Sequence, residues 1–492
     1  MSNTNSKSGI SQAFTWFHAT SVNGGAMAIA ATISTYFSLY AQETIGITAA
    51  QLSVILFICS LWDAINDPIM GVICDTYKIG KGGHYRPWFI FTPVFLLVDM
   101  FFLFSNPAFI QGSSMAKCVY VLITYMFYGM ICTAYTMPQM AILPAMTKDD
   151  DERNSVIAKG AGVCALMFTI ASTFSTQIVE FCKFGDENAN GYRRLMCFYA
   201  VLAIISFWGL YKTSEERYVM PRDPETSGIK QLGYVFRHKE IWPVMLCWCL
   251  AAISYGFMFT SSVYYAQYIL AADKINAGMA EVAAQGEDAI GAFIGSTIGT
   301  TISTYMGFVS VGALISMVVL MPIFLKVFKT GYKTLIVSQV GTVILYLILY
   351  FFGRKNFMFC CIVSFLATAI GAMVNAVVNV LVNDTIDFIM LKEGKQLSGV
   401  ISSVKGFAQK CGNTVTSSGV LAILAVCGFD ASAGPLGQTE LAVAGTNACR
   451  FLVPAIVSVV IVILMVFYPL KKYLPEIAAM KADMKAVDET QA

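Results

Sequence analysis

The sequence predicts an all-α membrane protein of 12 transmembrane helices arranged as two six-helix halves. Three observations carry that reading. Of 492 residues, 57% are hydrophobic and only 13% are charged, where soluble domains carry about 25% charged residues. The mean hydropathy of +0.66 spreads the apolar surplus along the whole chain, so no polar coat can be assembled around a soluble core. Finally, a polar link at 213–240, holding Pro221, Pro224 and a Ser-Gly pair, divides the apolar stretches six and six.

A spanning helix needs about 20 mostly apolar residues. Twelve stretches qualify: 16–41, 50–75, 87–105, 117–145, 156–181, 195–212, 241–271, 303–326, 334–353, 356–382, 399–427 and 449–470. The longer ones must tilt or extend past the bilayer. Prolines inside them, such as Pro68 and Pro138, are tolerable because neighbouring helices can satisfy the freed carbonyls. The stretches predict an N-terminal half at 1–212, a cytoplasmic linker at 213–240, a C-terminal half at 241–472 and a tail at 473–492. The acidic, Ala- and Gly-rich segment 273–300 is expected to form an external insertion carrying a short surface helix.

Lysine and arginine bias sets orientation. Basic residues follow span 2 (Lys78, Lys81, Arg86), span 6 (Lys212, Arg217, Arg222, Lys230, Arg237, Lys239) and span 8 (Lys326, Lys329, Lys333), and open the tail at Lys471 and Lys472. Loops of opposite parity are poorer, so both termini are expected in the cytoplasm. The polar N-terminus lacks the short apolar core and small-residue site of a cleaved signal peptide. A net charge of +2 without a long basic run argues against a nucleic-acid partner. The 14 cysteines, scattered through apolar runs without metal spacing, read as small hydrophobes.

Ionisable residues inside spans are costly and usually face a cavity or a partner. Span 2 has two, Asp63 and Asp67, in Trp62-Asp-Ala-Ile-Asn-Asp-Pro68. The i, i+4 spacing puts both carboxylates on one helix face about 6 Å apart, and Asn66 adds a carbonyl oxygen. Clustered hard oxygens suit a small desolvated cation; two close carboxylates can also share a proton; a buried ion pair with a lysine is the plain structural alternative. Span 11 carries Lys405 and Lys410 on different faces, Lys410 the deeper. In span 10, Asn375 and Asn379 stand at i, i+4, positioned either to bond substrate hydroxyls or to bond a neighbouring helix. Asp384 and Asp387 follow beside Lys392 and Lys395, as a cytoplasmic gate or loop ion pair would require. Tyr264, in the run Tyr264-Tyr265-Ala-Gln267-Tyr268, offers a ring to a sugar or to an interfacial belt. Asp99, late in span 3, is placed near the outer interface without a role. With three histidines, no nucleophile–base triad and no phosphate loop, the chain does not read as an enzyme.

These residues also carry a resemblance. Asp63-Ala-Ile-Asn-Asp-Pro-Ile-Met-Gly71, continuing through Asp75 to Gly-Gly-His-Tyr-Arg-Pro-Trp88, is similar to the signature of the glycoside–pentoside–hexuronide:cation symporters, the melibiose-permease family of the major facilitator superfamily. Ala141-Ile-Leu-Pro144 with Thr147 to Arg153, Asn383-Asp-Thr-Ile-Asp-Phe388, and Phe407-Ala-Gln-Lys410-Cys-Gly412 resemble its later signatures, in order and at family spacing. The resemblance implies two six-helix halves, a sodium, lithium or proton site at Asp63, Asn66, Asp67 and Thr133, and a cavity lysine at Lys410. It places Asp75, Arg86 and Arg153 in cytoplasmic loops, where they are expected to gate together with Asp384 and Asp387. No resident cofactor is expected.

The sugar side departs from melibiose-type members. Their span 1 aspartate falls on Met27, their span 4 aspartate on Thr136, their stacking tryptophan on Met140 and their span 5 arginine on Ala161. Asn23, Thr136, Gln139, Tyr264, Asn375, Asn379 and Lys410 are the candidate sugar contacts. Loss of two anions beside a retained lysine favours a hexuronide or another acidic sugar. The expected activity is import of a sugar or glycoside with Na+ or H+ by alternating access in a bacterial inner membrane. The chain is expected to act as a monomer whose partners are lipid, sugar and cation. An uncoupled facilitator and a transporter-derived sensor are the alternatives.

Overall fold

The computed structural model describes residues 10–78, 83–147, 149–184, 188–217, 237–282, 287–393, 398–477 and 479–480. Among these residues there is helix and no strand, and every one of the twelve predicted stretches falls on helix. Among the described residues nine helices are by themselves long and apolar enough to cross a bilayer, and the protein is a multi-pass membrane protein. The shortfall from twelve has local causes. Stretch 3 forms a helix of 16 residues, stretch 11 is diluted by polar residues, and stretch 1 is broken.

The chain divides into two compact units. One comprises Met1–Arg222 with Gln285–Ser303 and Asp430–Gly434; the other comprises Asp223–Ala284, Thr304–Phe429 and Pro435–Ala492.

In the first unit, α1 (Gln12–Ser21) begins where the Ser11 hydroxyl accepts the Phe14 amide at 3.1 Å, a side-chain cap for an otherwise orphaned donor. Gly24 breaks the path with φ −94° and ψ −114° before α2 (Gly25–Thr32). Gly25 is needed for contact: a Cβ there would lie 2.3 Å from the Tyr199 carbonyl. Wider π turns follow at Ile33–Phe37 and Ala41–Ile45. Helix α3 (Ala49–Thr76) starts from a reciprocal Thr48–Gln51 cap. Then come α4 (Trp88–Leu103), α5 (Ser114–Met146), α6 (Asp150–Lys183) and α7 (Asn188–Thr213).

Helix α3 shows how the sequence aims its polar residues. Val54, Phe57, Leu61 and Ile65 are all exposed and recur at helical spacing, forming an apolar stripe suited to lipid. On the 3.6-residue period the opposite side is Cys59, Asp63, Asn66 and Asp67, where Cys59 and Asn66 are buried. That side packs on α5.

In the second unit, α8 (Trp242–Tyr265) continues through a π turn at Ala266–Ala271 into α9 (Ala272–Val282). Next are α10 (Glu287–Ile315), α11 (Met321–Phe328), α12 (Gly331–Phe352), α13 (Phe357–Gly371), α14 (Val374–Glu393) and α15 (Ser398–Val426). Helix α16 (Glu440–Asn447) passes through a π turn at Ala448–Leu452 into α17 (Val453–Val466). The part of α10 up to Ser303 is grouped with the first unit.

The segment 273–300 corrects the sequence expectation. It is not a separate surface helix: α9 prolongs the seventh stretch, and α10 starts at Glu287 and runs on into the eighth. All fourteen cysteines are free thiols, as their placement in apolar helices requires.

Candidate functional site

Asp63 and Asp67 leave α3 one turn apart and meet α5 at Gly129 and Thr133, which are also one turn apart. The Thr133 hydroxyl lies 2.7 Å from Asp67 Oδ1 and 3.2 Å from the Gly129 carbonyl, and it can donate to either. Gly129 leaves room for the other carboxylate: a Cβ there would stand 2.3 Å from Asp63 Oδ1. Asn66 is 5% exposed, and its Nδ2 has no acceptor. The four residues of the expected cation set therefore come from two packed helices, joined directly by the Thr133–Asp67 bond. Among the described residues no cluster of three His, Cys, Asp or Glu could hold a metal. Helices α3 and α5 thus bring two carboxylates beside the Thr133 hydroxyl and the Asn66 amide. In an apolar surround, two neighbouring negative charges are costly until a cation or a proton offsets them.

Within the second unit, the polar side chains of α14 and α15 meet. Lys405 Nζ donates to Asn379 Oδ1 at 2.7 Å, and Asn379 Nδ2 donates to the Asn375 carbonyl at 2.8 Å. The Lys405 ammonium lies 4.5 Å from the centre of the Trp248 ring. Trp248 is buried, and its indole Nε1 has no acceptor. Lys405, half-buried, has no acidic partner among the described residues. Lys410 is half-buried as well.

Other expected sugar contacts are occupied by the protein. Gln139 is buried and its Nε2 stands 3.3 Å from His18 Nε2, while His18 Nε2 is 3.3 Å from the Gln139 carbonyl. These groups bind α1 to α5. Tyr264 is 0% exposed. It packs 6.3 Å from Tyr268 and 5.5 Å from Phe429, ring centre to ring centre, so no face is left for a sugar. Asn23 is half-buried against Gly160 of α6, and Thr136 is half-buried on α5.

Among the expected gate residues, Arg86 and Arg153 hold backbone carbonyls of the first unit. Arg86 Nη2 donates to the Tyr211 carbonyl at 3.0 Å, with the Tyr211 ring 5.0 Å from the guanidinium. Arg153 donates through Nε and Nη2 to the Thr147 carbonyl, at 2.9 and 2.6 Å. Asp384 and Asp387 are half-buried on α14, and Lys392 lies 4.5 Å from the Tyr473 ring centre. Lys395 and the Asp75 side chain lie outside the described residues.

Three residues absent from the sequence expectations matter here. Gly129 is the first. Glu216 is the second: its carboxylate accepts the backbone N–H groups of His84, Tyr85 and Arg86 at 2.8, 2.7 and 3.0 Å, fixing the loop that carries Arg86. Arg450 is the third, a guanidinium with 0% exposure in the π turn between α16 and α17. Asp99 is 2% exposed, and its Oδ2 has no donor.

A family model described as MFS/sugar transport protein matches residues 21–472. Among curated relatives, a putative glycoside/cation symporter of Escherichia coli is 22% identical over 46% of this chain and 48% of its own length. A putative sulfoquinovose importer of Salmonella typhimurium is 23% identical over 48% of this chain and 49% of its own length. The chain thus spans about half the length of the curated relatives it matches. Among solved structures, a bacterial homologue of the human lysosomal transporter Spinster superposes with a TM-score of 0.62 at 10% identity, covering 93% of this chain and 95% of that one. At that identity the likeness concerns the fold alone.

Proposed function

The chain belongs to the MFS/sugar transport protein family, and from that premise we propose that it is a secondary active symporter that imports a sugar or glycoside together with sodium. The observation that carries the proposal is the joint between α3 and α5, where Thr133 bonds Asp67 and Gly129 makes way for Asp63. Sodium is preferred over the proton because Asn66 and Thr133 contribute neutral oxygens that a proton site does not need. Binding of the cation neutralises the carboxylate pair and strengthens sugar binding. By reciprocity the sugar strengthens cation binding to the same degree, and alternating access then moves both. The protein sits in a bacterial inner membrane with both termini cytoplasmic.

The substrate class is an acidic sugar or glycoside. Lys405 supports this, being a half-buried cation with an amide oxygen and an indole ring beside it but no described carboxylate. The similarity to a putative sulfoquinovose importer, whose named substrate is a sulfonated sugar, points the same way.

Uptake into proteoliposomes under an imposed sodium gradient tests the proposal. Accumulation of a glucuronide is expected with the wild-type chain and is expected to vanish in Asp63→Cys and in Asp67→Cys while both variants still insert. Uptake that follows a pH gradient and ignores sodium and lithium would transfer the coupling to protons. Equal accumulation in both variants would remove the coupling assignment altogether.

A further inference from the structure

Arg450 is the largest fully buried side chain in the described protein. Its Nε donates to Tyr305 Oη at 3.0 Å, and Tyr305 Oη stands 3.2 Å from Ser364 Oγ. The guanidinium carbon lies 5.7 Å from the Tyr305 ring centre, 5.8 Å from that of Tyr346 and 4.9 Å from that of Phe451. The Tyr346 hydroxyl is close by, yet neither Nη1 nor Nη2 completes a hydrogen bond. Among the described residues no carboxylate is within ion-pair reach of Arg450; the nearby exterior pair joins Arg354 to Asp273 instead.

That arrangement leaves one positive charge and four N–H donors unmet inside a packed unit. The rings offset part of the charge through their faces, but a ring accepts no N–H bond of ordinary strength. Deprotonation is no escape, since a guanidinium keeps its proton in proteins. Water can bond the donors but cannot cancel the charge, and an uncompensated buried charge is strongly destabilising. A small anion does both.

We propose that Arg450 is the core of a buried binding site for a single monovalent inorganic anion of halide size, chloride in the cell, held by Nη1 and Nη2. One guanidinium calls for one negative charge, and ring centres at 5.7, 5.8 and 4.9 Å from its carbon favour a small anion. Tyr305 already accepts from Nε, so the anion takes its bonds from the free Nη groups. The site is separate from the carboxylates of α3, and its occupation is independent of whether the chain carries a sugar.

The test uses the purified full-length protein in detergent with sodium and ionic strength held constant while chloride replaces gluconate. Chloride is expected to raise the apparent melting temperature saturably by about 2 °C or more, with bromide acting in its place. Arg354→Gln, an exposed arginine, is expected to keep the response, and Arg450→Met to lose it. Because Arg450→Met can fail to fold, bromide is also located directly in wild-type crystals by its anomalous signal, expected beside Nη1 and Nη2. A wild-type melting temperature indifferent to chloride, a response that survives in Arg450→Met, or crystals without bromide at Arg450 would each overturn the assignment.

Discussion

Replacing Gly129 with alanine tests the cation site where its geometry is tightest. The added Cβ would sit 2.3 Å from Asp63 Oδ1, about 1 Å inside ordinary contact. Two relaxations are open: the Asp63 carboxylate swings away, or α5 draws back from α3 and stretches the 2.7 Å bond from Thr133 to Asp67. Either one dislodges a proposed ligand. Overpacking of this kind costs about 1–3 kcal/mol. If that cost falls on the ion-bound arrangement, sodium affinity drops about 5- to 150-fold, at tenfold per 1.4 kcal/mol. Alanine also favours helix over glycine by about 1 kcal/mol, so the fold itself should tolerate the change. The assay is a sodium titration of purified protein followed by tryptophan fluorescence, with Trp62 adjoining Asp63 as a reporter. Gly295→Ala is the control, because a Cβ there meets nothing within 4 Å. A folded Gly129→Ala variant whose sodium half-saturation stays within twofold of wild type refutes the placement of Asp63 in the site.

Three further outcomes are expected. Thr133→Val removes the hydroxyl at nearly constant volume and should abolish sodium-driven uptake, whereas Thr133→Ser should retain it; equal activity would show that the hydroxyl is not a ligand. Glu216→Ala strands three backbone N–H groups and should cost about 1.5–3 kcal/mol for its charged hydrogen bonds, measured as faster hydrogen–deuterium exchange of the His84, Tyr85 and Arg86 amides, with Glu216→Gln intermediate. Lys405→Gln should weaken binding of a glucuronide at least tenfold and leave the matched glucoside unchanged, read by a binding panel in sodium; parallel losses would place Lys405 in packing rather than in charge recognition.

The spans were legible because a long apolar run admits few structures in lipid, and small errors at its ends change nothing. The α3 face was legible for the same reason as any amphipathic helix: Asp63 and Asp67 repeat at i, i+4 against a stripe at the same period. Partners chosen by tertiary packing were not. Nothing local says that Gln139 faces His18, 121 residues away, or that the tyrosines at 264 and 268 close on Phe429 instead of facing a cavity. The segment 273–300 misled because a polar helix lying on a surface and the polar end of a spanning helix have the same composition. Arg450 falls one residue inside the twelfth stretch, so the rule that singled out Asp63 applies to it too. A basic residue at a span edge ordinarily reaches water, however, and only the three rings gathered from 305, 346 and 451 show that this one does not.

Asp63 with Asp67 and Arg450 are two answers to charge in an apolar unit, and their chemistry separates their roles. A carboxylate pair can be neutralised reversibly, by an ion or by a proton, and it stands half-buried beside a hydroxyl able to bond either the carboxylate or the Gly129 carbonyl. Such a site can be filled and emptied once per transport cycle, and its energy depends on which state it is in. A guanidinium has no neutral form to fall back on, and Arg450 is sealed on every side. Its charge must be met at all times, so an anion held there serves the integrity of the second unit and need not leave with each turnover. The proposed coupling is therefore assigned to the acids of α3, where the cost of an empty site is large enough to matter and small enough to be borne.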